Sequence, residues 1–180
     1  TEAVAYIIPD KHNGFDYRTL ARGAQGKSDT LLNVIVAGEP EEFICLERLY
    51  GEPAALMETN VKPSDVAFLQ LSGGSTGLSK LIPRTHDDYI YSLRLSADIC
   101  GINQDSIYLA ALPIAHNFPM SSPSTLCTLY GGGQVVLSPG PSPDEAFPLI
   151  EKYGATITAL VPPLALRWLE AVSTRNYDLS

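Results

Sequence analysis

A stretch of nine residues rich in small and hydroxylated side chains, SGGSTGLSK at positions 72–80, is the part of the sequence best suited to chemistry. Glycines allow backbone N–H groups to approach a ligand closely and to adopt positive φ, and successive N–H groups can form a concave site for an anion. The hydroxyls add donors and Lys80 adds a point charge. The stretch predicts a phosphate-binding loop. Its candidate contacts are Ser72, Gly73, Gly74, Ser75, Thr76, Gly77 and Lys80.

The spacing of this loop excludes two common phosphate-binding motifs. A Walker loop needs Lys directly after its second Gly, whereas Leu78 and Ser79 intervene before Lys80 here. The glycines also lack the G-x-G-x-x-G spacing of dinucleotide-binding folds. On composition alone, a flexible hairpin between the extended segments LQL and LIP is an equally good interpretation.

A second candidate segment, AHNFPMSSP at positions 115–123, follows a predicted strand, SIYLAALP. Ligand-binding residues of α/β folds often follow strands in this way. The neutral amide of Asn117 offers hydrogen bonds but no countercharge, so a buried substrate ammonium would be costly beside it. The structural alternative for Asn117 is a helix N-cap, a role that Ser121 or Ser122 could also fill.

Both segments resemble those of the adenylate-forming ligases, the superfamily of acyl-CoA synthetases, luciferases and peptide-synthetase adenylation domains. The usual loop is roughly [ST]-S-G-[ST]-T-G-x-P-K, and this chain has Gly73 where Ser is common and Ser79 where Pro is common. Together with LIPRTHDDYIYS, these departures resemble the branch that activates aryl acids for catechol siderophore synthesis. The resemblance reaches back to AYIIPDKHNGFDYR and covers essentially the whole chain.

The resemblance implies a reaction in two halves, in which 2,3-dihydroxybenzoate and ATP form aryl-AMP and the acyl group then passes to the phosphopantetheine thiol of an aryl carrier protein. Lys80 and the loop would hold the β- and γ-phosphates, with Mg²⁺ sharing the charge. His116 would line the tunnel between carboxylate and phosphate, Asn117 would contact the ring hydroxyls, and Ser122 would be a second polar contact on the pocket wall. The alternatives are a ligase for salicylate or another acid, and a non-catalytic α/β binding module.

The same resemblance places the residues for adenine, ribose, Mg²⁺ and the catalytic lysine beyond Ser180. We therefore expect residues 1–180 to be a fragment of the large N-terminal domain of an adenylate-forming ligase, without its C-terminal catalytic-lysine domain. Positions 1–60 would form a peripheral α/β portion, and positions 61–180 would carry the phosphate loop and the acid-binding segment. We expect the isolated fragment to be inactive.

Composition narrows the class of protein further. The 180 residues are 45% hydrophobic with a net charge of −8, which predicts a globular protein and disfavours a general nucleic-acid or anionic-membrane binder. Cys45, Cys100 and Cys127 lack metal-site spacing, so we expect free buried thiols in a reducing cytoplasm. No apolar run approaches the roughly 18 residues of a membrane span.

The elements that must position these segments are predicted to form an α/β fold, a parallel-rich sheet layered with helices. Strands are predicted at positions 4–8, 33–38, 66–72, 106–113 and 135–139 and in TITALVPP, and those from about residue 66 onward are expected to run parallel with crossovers. Helices are predicted in FDYRTLARGAQ, weakly in FICLERLYG, over 121–130, in SPDEAFPLIEKYG and in PLALRWLEAV.

Helix ends and side-chain roles are predicted at a few positions. Asp87 or Asp88 is expected to cap a helix that runs to Gly101, and Ser142 one that starts at Pro143 and that Pro148 could delay or bend. Trp168 is expected in the core, and His86 is expected to support the loop. Arg84 could reach phosphate or pair with Asp87 or Asp88.

Overall fold

The computed structural model describes residues 2–51, 60–73, 77 and 79–179. The chain divides into two compact units, residues 1–59 and 60–180. The second unit contains both candidate functional segments, so the fold of that unit decides how they are positioned.

The first unit is a small α/β structure. Its elements are β1 (Ala5–Pro9), β2 (Lys11–His12), β3 (Phe15–Asp16), α1 (Tyr17–Gln25), β4 (Asn33–Ala37), β5 (Ile44–Cys45) and a 3₁₀ turn (Leu46–Leu49). Strands β1, β4 and β5 form a parallel sheet in that order. The two longer strands and α1 confirm the sequence prediction. The weak helix expected in FICLERLYG is confirmed only in part, as the short 3₁₀ helix, because strand β5 precedes it.

Arg18, on α1, is a buried cation with several polar partners in the first unit. Its side chain is 4% exposed and pairs with Asp16 at 2.6 Å and with Glu41 at 3.0 Å. It also donates to the Glu39 carbonyl at 2.9 Å. The hydrogen bond from Arg18 lowers the pKa of Asp16 to about 2, so this carboxylate stays ionised well into acid.

The second unit combines a β-hairpin with a parallel sheet. Its elements are β6 (Val66–Leu71), β7 (Leu81–Thr85), α2 (His86–Cys100), β8 (Ile107–Ala110), α3 (Asn117–Met120), α4 (Thr125–Tyr130), β9 (Gln134–Leu137), α5 (Pro143–Tyr153), β10 (Ile157–Thr158) and α6 (Pro162–Val172). Strands β10, β8 and β9 form a parallel sheet with β8 in the centre, as the alternation of strands and helices predicted.

Strands β6 and β7 pair antiparallel, as in the alternative of a hairpin between LQL and LIP. The expectation that strands from about residue 66 onward run parallel was wrong for this pair. The loop of nine residues between them returns the chain directly, so no crossover is needed. The predicted helix over 121–130 also starts later, at Thr125, and the separate short helix α3 precedes it.

The core of the second unit lies around its central strand. Tyr108 and Leu109 on β8 are fully buried. Trp168 is 7% exposed, packs edge-on against Phe147 with ring centroids 5.3 Å apart, and donates from Nε1 to the Pro141 carbonyl at 2.9 Å. The prediction that Trp168 is a core residue is confirmed.

Helix ends follow the sequence signals in part. Helix α5 starts at Pro143 after Ser142, so Pro148 does not delay it. Helix α2 ends before Gly101, whose φ of 66° is left-handed. The expected cap of α2 was wrong: the hydroxyl of Thr85 accepts from the Asp88 N–H at 3.3 Å, and Asp87 and Asp88 lie in the first turn instead.

The turn that leads from α4 into β9 leaves no room for a side chain at Gly133. A Cβ placed there would lie 2.5 Å from the Ser106 carbonyl oxygen and 2.9 Å from Thr128 Cγ2. The Gly133 N–H also donates to the Thr128 carbonyl at 2.9 Å. Glycine is therefore required at this position. Its lack of a side chain allows β9 to pack closely onto β8.

The cysteines are all free thiols, as predicted, but only one is buried. Cys127 is fully buried on α4, and burial raises the pKa of its thiol. Cys45 is half-buried and Cys100 is exposed at the end of α2, which corrects the expectation that all three are buried.

Candidate functional site

The predicted phosphate loop connects the two strands of the hairpin β6–β7. Two hydrogen bonds close its base, from the Ser72 N–H to the Lys80 carbonyl and from the Lys80 N–H to Ser72 Oγ, each 2.9 Å long. Ser72 is half-buried and Lys80 is exposed. A short antiparallel hairpin therefore holds both ends of the loop, and the Lys80 ammonium is accessible at its rim.

Four of the nine loop residues lie outside the described part of the chain. They include three predicted phosphate contacts: Gly74, Ser75 and Thr76. Of the described glycines, Gly73 and Gly77 have no positive φ, and a Cβ on either would meet nothing within 4 Å. Open space around the backbone, rather than a left-handed conformation, is what these two glycines provide.

The predicted acid-binding segment, residues 115–123, follows the carboxyl end of β8. His116 is the N-cap of the short helix α3, where its Nδ1 accepts from the Phe118 N–H at 3.3 Å. Asn117 is the first residue inside α3, so its interpretation as an N-cap was wrong. Its side chain is exposed and is therefore available to a ligand.

The amide of Asn117 is held at its oxygen end. Oδ1 accepts from Gln70 Nε2 at 2.6 Å and from the Tyr89 hydroxyl at 3.4 Å. Gln70 lies on β6, two residues before the loop, so this contact joins the β6–β7 hairpin to the segment that is predicted to bind the acid. Sequence reasoning missed Gln70, although it is the only polar residue in the apolar run VAFLQL, and it left the role of Tyr89 open.

Tyr89 is fixed by its surroundings on α2. It is 4% exposed, packs edge-on against Phe68 with centroids 4.6 Å apart, and has the Arg84 guanidinium 4.8 Å from its ring centroid. Arg84 pairs with Asp88 at 2.6 Å. Of the two roles predicted for Arg84, the ion pair is the one observed. The ion pair holds the Arg84 guanidinium over the Tyr89 ring, where the two groups form a cation–π contact.

His86 begins α2 beside the hairpin. Its N–H donates to the Asp65 carbonyl at 3.3 Å. The neighbouring Asp87 accepts from the Thr85 hydroxyl at 2.7 Å, and this hydrogen bond lowers the pKa of the Asp87 carboxyl. These contacts anchor the start of the helix that carries Tyr89.

An apolar cavity of about 230 Å³ opens where β8 and β10 end. His116 lines it, and Val161, which follows β10, closes another side. Its remaining lining residues are Leu112, Pro113, Phe118 and Pro119. The cavity therefore lies at the carboxyl edge of the parallel sheet, where α/β folds bind ligands.

Ser122, the third predicted substrate contact, is half-buried and lies in the turn between α3 and α4. Its Oγ is 3.3 Å from Ser121 Oγ. In residues 2–51, 60–73, 77 and 79–179, no group of three or more His, Cys, Asp or Glu side chains could hold a metal ion. None of the helices described is long and apolar enough to cross a membrane.

Comparison with known proteins defines the class. A family model described as AMP-binding enzyme matches residues 1–180, and the chain belongs to this family. It is 67% identical over 179 residues to the 2,3-dihydroxybenzoate-AMP ligase of Bacillus subtilis (strain 168), a match that covers 99% of this chain and 33% of that protein.

Two further similarities agree with this result. The vibriobactin-specific 2,3-dihydroxybenzoate-AMP ligase of Vibrio cholerae is 47% identical over 184 residues, which cover 100% of this chain and 34% of that protein. The apo structure of Mycobacterium smegmatis MbtA superposes with a TM-score of 0.86 at 41% identity, covering 94% of this chain and 31% of that chain. The chain thus spans about a third of the length of the relatives it matches.

Proposed function

We propose that residues 1–180 belong to the large N-terminal domain of a ligase that activates 2,3-dihydroxybenzoate with ATP. A carboxylate oxygen of the acid attacks the α-phosphorus, the α–β phosphoanhydride bond breaks, and aryl-AMP and pyrophosphate form. The thiol of a carrier protein's phosphopantetheine then attacks the aryl carbonyl and displaces AMP. Residues 1–60 are the peripheral portion of this domain, and residues 61–180 carry the phosphate loop and the acid-binding segment.

The observation that carries the proposal is the 2.6 Å hydrogen bond between Gln70 and Asn117. It joins the strand that leads into the predicted phosphate loop to the segment predicted to bind the acid. An adenylation site needs this proximity, because the carboxylate and the α-phosphate must meet with their reacting atoms about 3–3.5 Å apart.

Most of the work in this reaction is positioning and charge stabilisation. Lys80 and the loop from Ser72 to Gly77 bind the β- and γ-phosphates, and Mg²⁺, when bound, neutralises further phosphate charge. His116 lines the path between the substrate carboxylate and the phosphates, while Asn117 contacts the ring hydroxyls and Ser122 is a second polar contact on the pocket wall. The acceptor of the acyl group is an aryl carrier protein that bears phosphopantetheine, and the enzyme is cytoplasmic.

A chimera tests the proposal. Residues 1–180 replace the matching third of the Bacillus subtilis relative, and ATP–pyrophosphate exchange is measured with 2,3-dihydroxybenzoate. We expect exchange well above background, and Lys80→Ala to reduce it at least about tenfold through loss of a charge-assisted contact to phosphate. The matched control is Lys152→Ala, whose ammonium lies over the Tyr153 ring on α5 and whose loss should leave exchange unchanged.

The alternatives give different results. A preference for salicylate over 2,3-dihydroxybenzoate in the same assay would favour a salicylate ligase. Absence of exchange with every benzoate by a folded chimera would contradict the proposal and favour a non-catalytic binding module.

A further inference from the structure

The amide of Asn117 has two chemically different ends, and which of them faces a ligand determines what it recognises. Its oxygen only accepts hydrogen bonds and its NH₂ group only donates them. A free amide could present either end. Here the oxygen is occupied by Gln70 Nε2 at 2.6 Å and by the Tyr89 hydroxyl at 3.4 Å, so the NH₂ end is left for a ligand.

Both groups that hold the oxygen come from fixed elements. Gln70 lies inside strand β6 and pairs with Ile82 of β7. Tyr89 is buried, with Phe68 against its edge and Arg84 over its face. Gln70 makes the shorter of the two hydrogen bonds, so it is the main restraint on the orientation of the amide.

The chemistry of ortho-substituted benzoates makes this orientation selective. A 2-hydroxyl donates its proton to the adjacent carboxylate of the same molecule, so its oxygen is left as an acceptor that suits an N–H donor. A 2-amino group has a delocalised lone pair and a second N–H that needs an acceptor instead. When the 2-amino group faces the NH₂ group of Asn117, two donors meet and neither finds an acceptor. Unpaired donors are costly in a desolvated site.

We propose that Gln70 is a positioning residue that selects 2-hydroxybenzoates over 2-aminobenzoates by holding the donor end of Asn117 toward the acid. This inference rests on the proposed function. Gln70 does not touch the substrate in this account and acts through the Asn117 amide.

The experiment uses the full-length chimera described above. Values of kcat/KM for ATP–pyrophosphate exchange are compared for 2-hydroxybenzoate, 2-aminobenzoate and unsubstituted benzoate. Gln70→Met removes the donor at similar length, and we expect the ratio of hydroxy to amino substrate to fall about tenfold while benzoate changes little. A purely structural role would lower all three acids together.

A second variant makes the test directional. Gln70→Glu replaces the donor by an acceptor, which attracts the NH₂ end of Asn117 and turns its oxygen toward the acid, so the ratio should fall further and approach inversion. The matched control is Gln104→Met, an exposed glutamine in the turn before β8, which should leave every ratio unchanged. Should Gln70→Met fail to fold, Gln70→Glu and Tyr89→Phe decide, the latter with a smaller shift.

The outcomes separate the two claims. An active chimera whose substrate ratios stay within twofold in the folded Gln70 variants overturns the role of Gln70 and leaves the proposed function standing. A folded chimera with no exchange on any benzoate overturns the proposed function, and the role of Gln70 with it.

Discussion

Replacing Asn117 by Asp changes one end of the amide and leaves the other end in place. The oxygen that accepts from Gln70 and Tyr89 has a counterpart in the carboxylate, so the link between hairpin and helix α3 is retained. The NH₂ group, which we propose faces the acid, becomes a second, negatively charged oxygen. The substitution therefore removes a donor and adds repulsion toward the phenolic oxygen and the substrate carboxylate.

The size of the effect follows from these two changes. Loss of a hydrogen bond that leaves a partner unsatisfied costs about 1–3 kcal/mol, and the added repulsion argues against the low end of that range. Transition-state destabilisation of about 1.5–3 kcal/mol corresponds to a loss of about 10- to 150-fold in kcat/KM. Protein stability should hardly change, since the Asn117 side chain is exposed.

The assay is ATP–pyrophosphate exchange by the chimera with 2,3-dihydroxybenzoate, alongside thermal unfolding of each variant. Asn13→Asp is the matched control, because Asn13 lies in an exposed turn with a φ of 51° that Asp also tolerates. A kcat/KM for Asn117→Asp within twofold of the parent would refute the assignment of Asn117 to the acid.

Three further predictions concern stability and reactivity. Gly133→Ala should lower the free energy of unfolding, measured in urea, by about 1–3 kcal/mol, because the new Cβ would lie 2.5 Å from the carbonyl oxygen just before β8; unchanged stability would contradict the packing. The pKa of Asp16 is lowered to about 2 by Arg18. The stability that this pair contributes should therefore be complete above about pH 4 and lost as the pH falls toward 2. The dependence of stability on pH in this range should be weaker in Asp16→Asn. Iodoacetamide should label exposed Cys100 in the folded protein, whereas Cys127, buried and with a raised pKa, should react only on unfolding; fast labelling of Cys127 in the native state would contradict its burial.

Much of the local structure follows from sequence signals that do not compete with one another. Helix α5 starts where Ser142 and Pro143 predict it, and Gly101 ends α2 in a left-handed conformation. At the start of α2, by contrast, Thr85, Asp87 and Asp88 are all good N-caps within four positions. The choice of Thr85 depends on where β7 ends, which composition does not specify.

The direction of strand pairing and the contacts of the site required the three-dimensional structure. The strand–helix alternation predicted the parallel sheet around β8, but it gave the wrong direction for β7. The hydrogen bond between Gln70 and Asn117 joins residues 47 positions apart, and no periodicity in one sequence indicates such a pair. The residue types of the loop from 72 to 80 were compatible with anion binding or with a hairpin, and the resemblance to ligases favoured phosphate. Its role in binding phosphate stays a prediction.

The central claim is that an acyl-adenylate forms at this site, and an isotope experiment tests it most directly. The chimera is supplied with ATP, a thiol acceptor and 2,3-dihydroxybenzoate labelled with ¹⁸O in both carboxylate oxygens, and the products are analysed by mass spectrometry. If the carboxylate attacks the α-phosphorus, the bridging oxygen leaves with AMP, so one ¹⁸O should appear in AMP and none in pyrophosphate. Unlabelled AMP, or label in a β- or γ-phosphate, would contradict the account.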